Sequence, residues 1–269
     1  MQHAPGRTGS MDLGTADEAI NARRPELARL SRHGTFTAKK NKLKPWQIAS
    51  WCIPEVTPDF LCKMEATLKV YQLPYDPQHP MVCLDEKSFQ LLAQTAKPLP
   101  PRPGHAARQD HEYQRNGTRN LFMLVEPKIG FRQVLVTNRR TKIDFARVMR
   151  YLVDVLYPEA EYIDLVMDNL NTHHYHSLVE TFGKCEADRI MSRLHFHLTP
   201  KHGSWLNMAE IELSIVSRQC LSRRIPTEWN LTTEIIAWEA PRNQKQAKIR
   251  WNFTVEDARQ VFKEYYPTA

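Results

Sequence analysis

The arrangement of apolar and polar positions between residues 81 and 221 predicts strands and helices in alternation. Met81 to Phe89 reads as a strand, Asn120 to Glu126 as a second and Arg132 to Thr137 as a third, with turn chemistry at Asn116-Gly117 and Lys128-Ile129-Gly130. Those three are expected to be antiparallel neighbours. Asp144 to Leu156 places Phe145, Val148, Met149, Leu152 and Val155 at spacings of three and four, the stripe of an amphipathic crossover helix. Tyr162 to Met167 is mostly apolar and suits a central parallel strand reached by that crossover. Leu194 to Leu198 follows as a fifth strand, and Asn207 to Leu221 has no Pro or Gly to interrupt a helix. The order is β-β-β-α-β-α-β-α, an α/β domain.

Outside that frame the pattern is simpler. Pro98 to Arg108 is rich in Pro and predicts an extended excursion between the first two strands. Leu231 to Lys248 reads as helical apart from Pro241, and Val255 to Tyr265 as a final helix with Ala258, Val261, Phe262 and Tyr265 on one face. Both are expected to pack against the core. The expected division is a segment at 1–38, a linker at 39–78, a main domain at 79–224 and a helical extension at 225–269.

Composition narrows the class. The 269 residues are 42% hydrophobic and 9% aromatic, enough for a sizeable core. The most apolar stretch, Ile163 to Met167, is far too short to cross a bilayer, and Met1 to Leu13 carries no signal pattern. Neither a membrane partner nor export is expected. Cys52, Cys62, Cys83, Cys185 and Cys220 are scattered without CxxC spacing, as reduced thiols would be. The net charge of +7 and pI near 9.2 favour an anionic partner, nucleic acid first. Basic residues gather at Lys39, Lys40, Lys42 and Lys44, at Arg139, Arg140 and Lys142, at Arg223 and Arg224, and at Arg242, Lys245, Lys248 and Arg250. Any of these clusters can contact phosphates or simply be a solvated face.

Three acidic segments bring in chemistry: Val82-Cys83-Leu84-Asp85-Glu86, Val166-Met167-Asp168-Asn169 and Trp205-Leu206-Asn207-Met208-Ala209-Glu210. The first two put an Asp straight after an apolar run, so a strand end delivers a carboxylate to one edge of the sheet. Ionised carboxylates beside a core are costly unless a cation or partner compensates them. The pattern leaves rivals open. Glu86 is adjacent to Asp85 and belongs on the opposite strand face. Asp164 competes with Asp168, and Glu212 lies roughly 200° around the helix from Glu210 with no apolar pattern to choose between them. His173-His174-x-His176 and His195-x-His197 lack the companion ligands of a zinc site, and Trp46, Trp51 and Trp205 can stack on bases or anchor a core.

Longer motifs carry a family resemblance. Lys42-Leu43-Lys44-Pro45-Trp46, Leu84-Asp85-Glu86-Lys87-Ser88, Asp168-Asn169-Leu170-Asn171-Thr172-His173, Thr199-Pro200-Lys201-His202-Gly203-Ser204-Trp205-Leu206-Asn207-Met208-Ala209-Glu210 and the tail Trp251-Asn252-Phe253-Thr254 resemble bacterial insertion-sequence transposases of the IS630 group, within the Tc1/mariner superfamily of DDE enzymes. The resemblance implies a ribonuclease H-like mixed sheet with flanking helices. It also implies cleavage at element ends and strand transfer into a TA target in double-stranded DNA, by a homodimer in the bacterial cytoplasm, on the nucleoid when bound to DNA.

On that resemblance Asp85, Asp168 and Glu210 are the catalytic acids and metal ligands, with Asp85 assigned the bridging position. The motif decides for Glu210 over Glu212. Two Mg²⁺ or Mn²⁺ ions per site would be held by such hard oxygen ligands. Asn169, His173 and His202 beside the motifs can orient a phosphate, a water or a carboxylate, or cap turns. Lys42, Lys44, Arg139, Arg140, Lys201, Arg223 and Arg224 are the expected DNA contacts. Relatives carry helix-turn-helix modules ahead of the catalytic domain, whereas about 38 residues precede the match here. The expectation is a truncated or rearranged copy, with a noncatalytic DNA-binding remnant as the alternative.

Overall fold

Strand length and alternation set the frame. In the computed structural model, residues 56–168 and 175–266 are described, all within the compact unit Ile53–Ala269. Strands β1 (Met81–Gln94), β2 (Tyr113–Glu126), β3 (Phe131–Thr137), β4 (Ile163–Met167) and β5 (Leu194–Leu198) form one sheet in the order β3-β2-β1-β4-β5. The β1/β2 and β2/β3 pairs are antiparallel; β1/β4 and β4/β5 are parallel. This is the mixed order expected from the pattern.

Alternation along β1 and β2 feeds two cores. Val82 and Leu84 with Phe122 and Leu124 face helices α2 (Lys142–Tyr151), α3 (Tyr175–Phe182) and α4 (Lys184–Met191). Cys83, Leu121, Met123 and Val125 face α1 (Pro58–Gln72), α5 (Met208–Gln219), α6 (Glu228–Gln244) and α7 (Val255–Val261). The sheet is therefore sandwiched, and it is the α5 side that carries the site.

Several expectations change in detail. Helix α1 lies in a stretch read as linker, and it begins cleanly because Thr57 caps it, accepting from the Phe60 N–H at 3.1 Å, with Pro58 at the first turn. Asn116-Gly117 is not a turn but the interior of β2, opposite a bulge between Gln90 and Leu92. Pairing thus continues outward past the expected strand ends, and isolated bridges Leu99–Arg108 and Arg102–His105 extend the arm through the Pro-rich segment. The crossover helix switches to a π-turn at Leu152–Leu156, with the Tyr157 N–H donating to Leu152 O. That wider turn rotates Val155 off the predicted stripe, leaving it 59% exposed. Helix α6 includes Pro241, read as an exception in the stretch Leu231 to Lys248, and runs from Glu228 to Gln244.

Helix α6 runs beside the edge strand β3. Glu239 accepts from the Val134 N–H, while Asn243 accepts from the Arg132 N–H at 2.9 Å and donates to Arg132 O at 2.8 Å. The chain after α6 then crosses the β2–β3 turn so closely that a Cβ on Gly130, at φ +74°, would meet Gln246 backbone at 2.4 Å. Only glycine fits there. Among the described residues no helix is long and apolar enough to cross a membrane, and Cys62, Cys83, Cys185 and Cys220 are free thiols. Cys52 lies outside the described residues.

Candidate active site

Sheet register brings the first two acids to one edge. Cys83 of β1 pairs with Val166 of β4, and both belong to the core on the α5 side. Two residues further along each parallel strand come Asp85 and Asp168, at the same level of neighbouring chains about 4.8 Å apart. β4 has ended at Met167, so Asp168 leaves the sheet where Asp85 remains within β1.

Helix α5 delivers the third. Its N-cap Asn207 is buried, accepts from the Ala209 N–H at 3.1 Å, and donates from Nδ2 to Leu84 O at 2.8 Å. One side chain thus caps the helix and ties its first turn to the strand residue before Asp85. The Tyr71 hydroxyl adds a second tie, donating to Leu206 O at 2.5 Å. Glu210 sits in that first turn, exposed, where the helix N-terminus favours negative charge.

The acids also act on one another electrostatically. Burial raises the Asp85 carboxyl from its ordinary value to about 7; the Glu86 N–H donates to Asp85 Oδ1 at 2.7 Å and works against the rise, while the charges of Asp168, Glu210 and Glu86 add to it. Among the described residues no Lys or Arg pairs with Asp85 or Glu210. Nor do any three ligating side chains among the described residues close into a preformed metal cage.

The rivals have other partners. Glu86 has a side chain only 2% exposed and pairs with Arg140 at 3.3 Å. Asp164 lies at the far end of β4, about 13 Å along the strand from Asp168, and bonds His197 Nε2 at 2.8 Å. Glu212 is fully buried, with Oε1 2.8 Å from Arg242 and 3.4 Å from Arg132. A helix cannot aim Glu210 and Glu212 at one place, and the arginines hold Glu212 to the interior.

Other predicted residues scatter. Asn169, His173, Lys42, Lys44, His174, Trp46 and Trp51 lie outside the described residues. Lys201 and His202 are exposed in the turn before Gly203, with His202 at φ 62°. Arg139 is exposed on a hollow beside β3, and Arg223 pairs with Glu234. Arg224 donates to Gln94 at 2.7 Å and to the carbonyls of Glu112 and His111. His195 stacks on Tyr162 at 4.0 Å, and Trp205 packs against Trp251 and Phe253. Sequence reasoning passed over Asn207, although an Asn three residues before an acid at a helix start is a recognisable cap signal.

The site thus sits at one edge of the parallel side of a five-stranded mixed sheet. The sequence profile described as "DDE superfamily endonuclease" matches residues 80–232, more than half of the chain, and the protein belongs to that family. No curated protein matches the chain. Among solved structures, a pre-cleavage Mos1 transpososome is similar over 100% of this chain and 83% of that one, at 11% identity and TM-score 0.53. The Mos1 strand transfer complex matches over 98% and 79%, at 11% identity and TM-score 0.52. The Mos1 mariner paired end complex with Mn matches over 98% and 81%, at 12% identity and TM-score 0.51. At such identities the likeness is one of fold, the ribonuclease H-like fold.

Proposed function

We propose that the protein is a transposase of the IS630 kind, cutting at the ends of an insertion sequence and joining them to double-stranded DNA at TA. The observation that carries this reading is the gathering of the Asp168 and Glu210 charges at Asp85, where the β1/β4 register and the first turn of α5 bring them, with no Lys or Arg among the described residues paired to Asp85 or Glu210. Asp85, Asp168 and Glu210 are the side chains that would hold divalent metal. The donor set fits Mg²⁺ or Mn²⁺, being hard oxygen throughout, and its like charges are what a cation would relieve. When bound, two such ions would supply Lewis acidity at the attacking and leaving oxygens of a phosphodiester.

The chain's own part is positioning. Asn207 holds the first turn of α5 to β1, so that Glu210 faces the Asp85 edge and not the interior. In cleavage a water oxygen bonds to phosphorus and gives up a proton as the P–O3′ bond breaks, and the departing 3′-oxygen takes up a proton to become a 3′-hydroxyl. In joining, that hydroxyl attacks a target phosphodiester and the target's own P–O3′ bond breaks. Arg139 and Lys201 are exposed and free of ion pairs among the described residues, so they suit DNA contacts. Two ends must be handled together, which calls for a homodimer on DNA, in the bacterial cytoplasm. Mos1, of like fold, has been captured in paired-end and strand transfer complexes and with Mn.

The test is nicking of supercoiled plasmid by the purified chain with Mn²⁺ and with EDTA, and sequencing of joints made from a 3′-hydroxyl oligonucleotide. Metal-dependent nicking should fall by roughly a hundredfold to a thousandfold when Asp85, Asp168 or Glu210 is changed to Ala, as when one transition-state-stabilising group is lost. Nicking that survives Asp85→Ala sinks the assignment. DNA binding with no nicking under any metal identifies a noncatalytic remnant instead.

A further inference from the structure

An open groove of about 380 Å³ begins at Asp85 and Glu210 and runs along α5. Its further walls include Lys87 from β1 and Ser214, Ser217 and Arg218 from α5. Spacing explains the line. Lys87 follows Asp85 on the same strand face, about 7 Å on. Ser214 and Arg218 follow Glu210 at one and two turns, about 6 and 12 Å on.

The charges are arranged unusually. Neither Lys87 nor Arg218 has an ion pair or side-chain hydrogen bond among the described residues, although Glu210 shares their groove. Arg140, Arg223 and Arg242 are each satisfied by a carboxylate of the chain. An occupant must therefore answer two cations, accept from a hydroxyl and reach the carboxylates. A phosphodiester strand does all three, since its charges recur about every 3.4 Å of duplex axis.

We infer that this groove seats the DNA strand on one side of the reacting phosphodiester, with Lys87 and Arg218 on phosphates within about three nucleotides of it and the Ser214 hydroxyl donating between them. The inference rests on the function proposed above and adds a polarity to it: the strand leaves the carboxylates toward the C-terminal end of α5.

The test is fluorescence-anisotropy binding of the full chain to a labelled duplex in EDTA, across a salt series. Lys87→Ala and Arg218→Ala are each expected to weaken binding and to reduce the log–log salt slope by about 0.9, the double variant by about twice that. Lys184→Ala, on the opposite side of the sheet, should leave the slope unchanged, and Mn²⁺ affinity without DNA should not move in any variant. Variants that melt like wild type yet bind with wild-type slope overturn the seat. If wild type also nicks with Mn²⁺, the proposed function stands without it. A lost slope in a chain that never nicks keeps the seat as a DNA site and sinks the cleavage reading.

Discussion

Two glutamates on α5, two residues apart, live in opposite surroundings. Glu212 is sealed in the interior with its oxygen shared between Arg132 and Arg242, and Arg132 is itself fully buried. Glu210 is exposed at the helix start beside Asp85, a carboxyl that burial and neighbouring acids push to about 7. On one side the chain supplies its own cations. On the other it gathers carboxylates and supplies none to Asp85 or Glu210 among the described residues. The contrast separates an acid that holds the fold together from one whose charge no Lys or Arg among the described residues answers.

The largest effect on stability is expected on the satisfied side. Glu212→Ala would strand Arg132 as a buried, uncompensated charge, at a cost of about 3–5 kcal/mol in urea unfolding. The double replacement Arg132→Met with Glu212→Leu should cost less than that single change. A loss under 1 kcal/mol would erase the distinction drawn here.

A smaller effect of opposite sign is expected at Asp85. Its folded pKa of about 7 exceeds the ordinary 3.8. The advantage of holding that proton is complete below the unfolded value and is lost as pH rises through about 7. At pH 8 the metal-free protein therefore carries the full penalty, and Asp85→Asn should raise its stability by about 2–4 kcal/mol, with little difference near pH 4. Equal stability of the two proteins at pH 8 would mean that the site is not electrostatically strained.

The smallest effect belongs to a surface pair. Arg259 bonds Glu65 at 2.8 and 2.9 Å and, chiefly through that bond, holds it at about 2. Here the stabilisation is present above the ordinary value and is lost as pH falls through about 2. Because Arg259 is exposed, Arg259→Ala should cost far less than either change above, and less still in high salt. A cost rivalling that of Glu212→Ala would show that burial is not what ranks these carboxylates.

What could be read from the chain alone follows the range of the interactions involved. The place of Asp168 at a strand exit was legible because the apolar run Ile163 to Met167 announces its own end, whereas Asp85 follows a similar run yet lies within β1, whose pairing with β2 carries it on to Gln94. The choice between Glu210 and Glu212 was not legible from periodicity, because the groups that settle Glu212 are Arg242 and Arg132, 30 and 80 residues away. Asn116-Gly117 has the local chemistry of a hairpin turn, yet pairing with β1 carries the chain straight through it. The π-turn after α2 defeated a strict 3.6-residue period at Val155 for a similar reason: its backbone bonds span one residue more. The family resemblance chooses Glu210 by motif, where the pattern of apolar positions makes no choice.

The contacts between α6 and β3 also govern how copies of the protein can meet. An outer strand ordinarily offers a row of free N–H and C=O groups, a template on which a second chain can continue the sheet and from which aggregates grow. Glu239 and Asn243 occupy those groups at Arg132 and Val134. A partner copy cannot zip onto that stretch without first prising α6 away, so molecules crowded together are kept from fusing their sheets there.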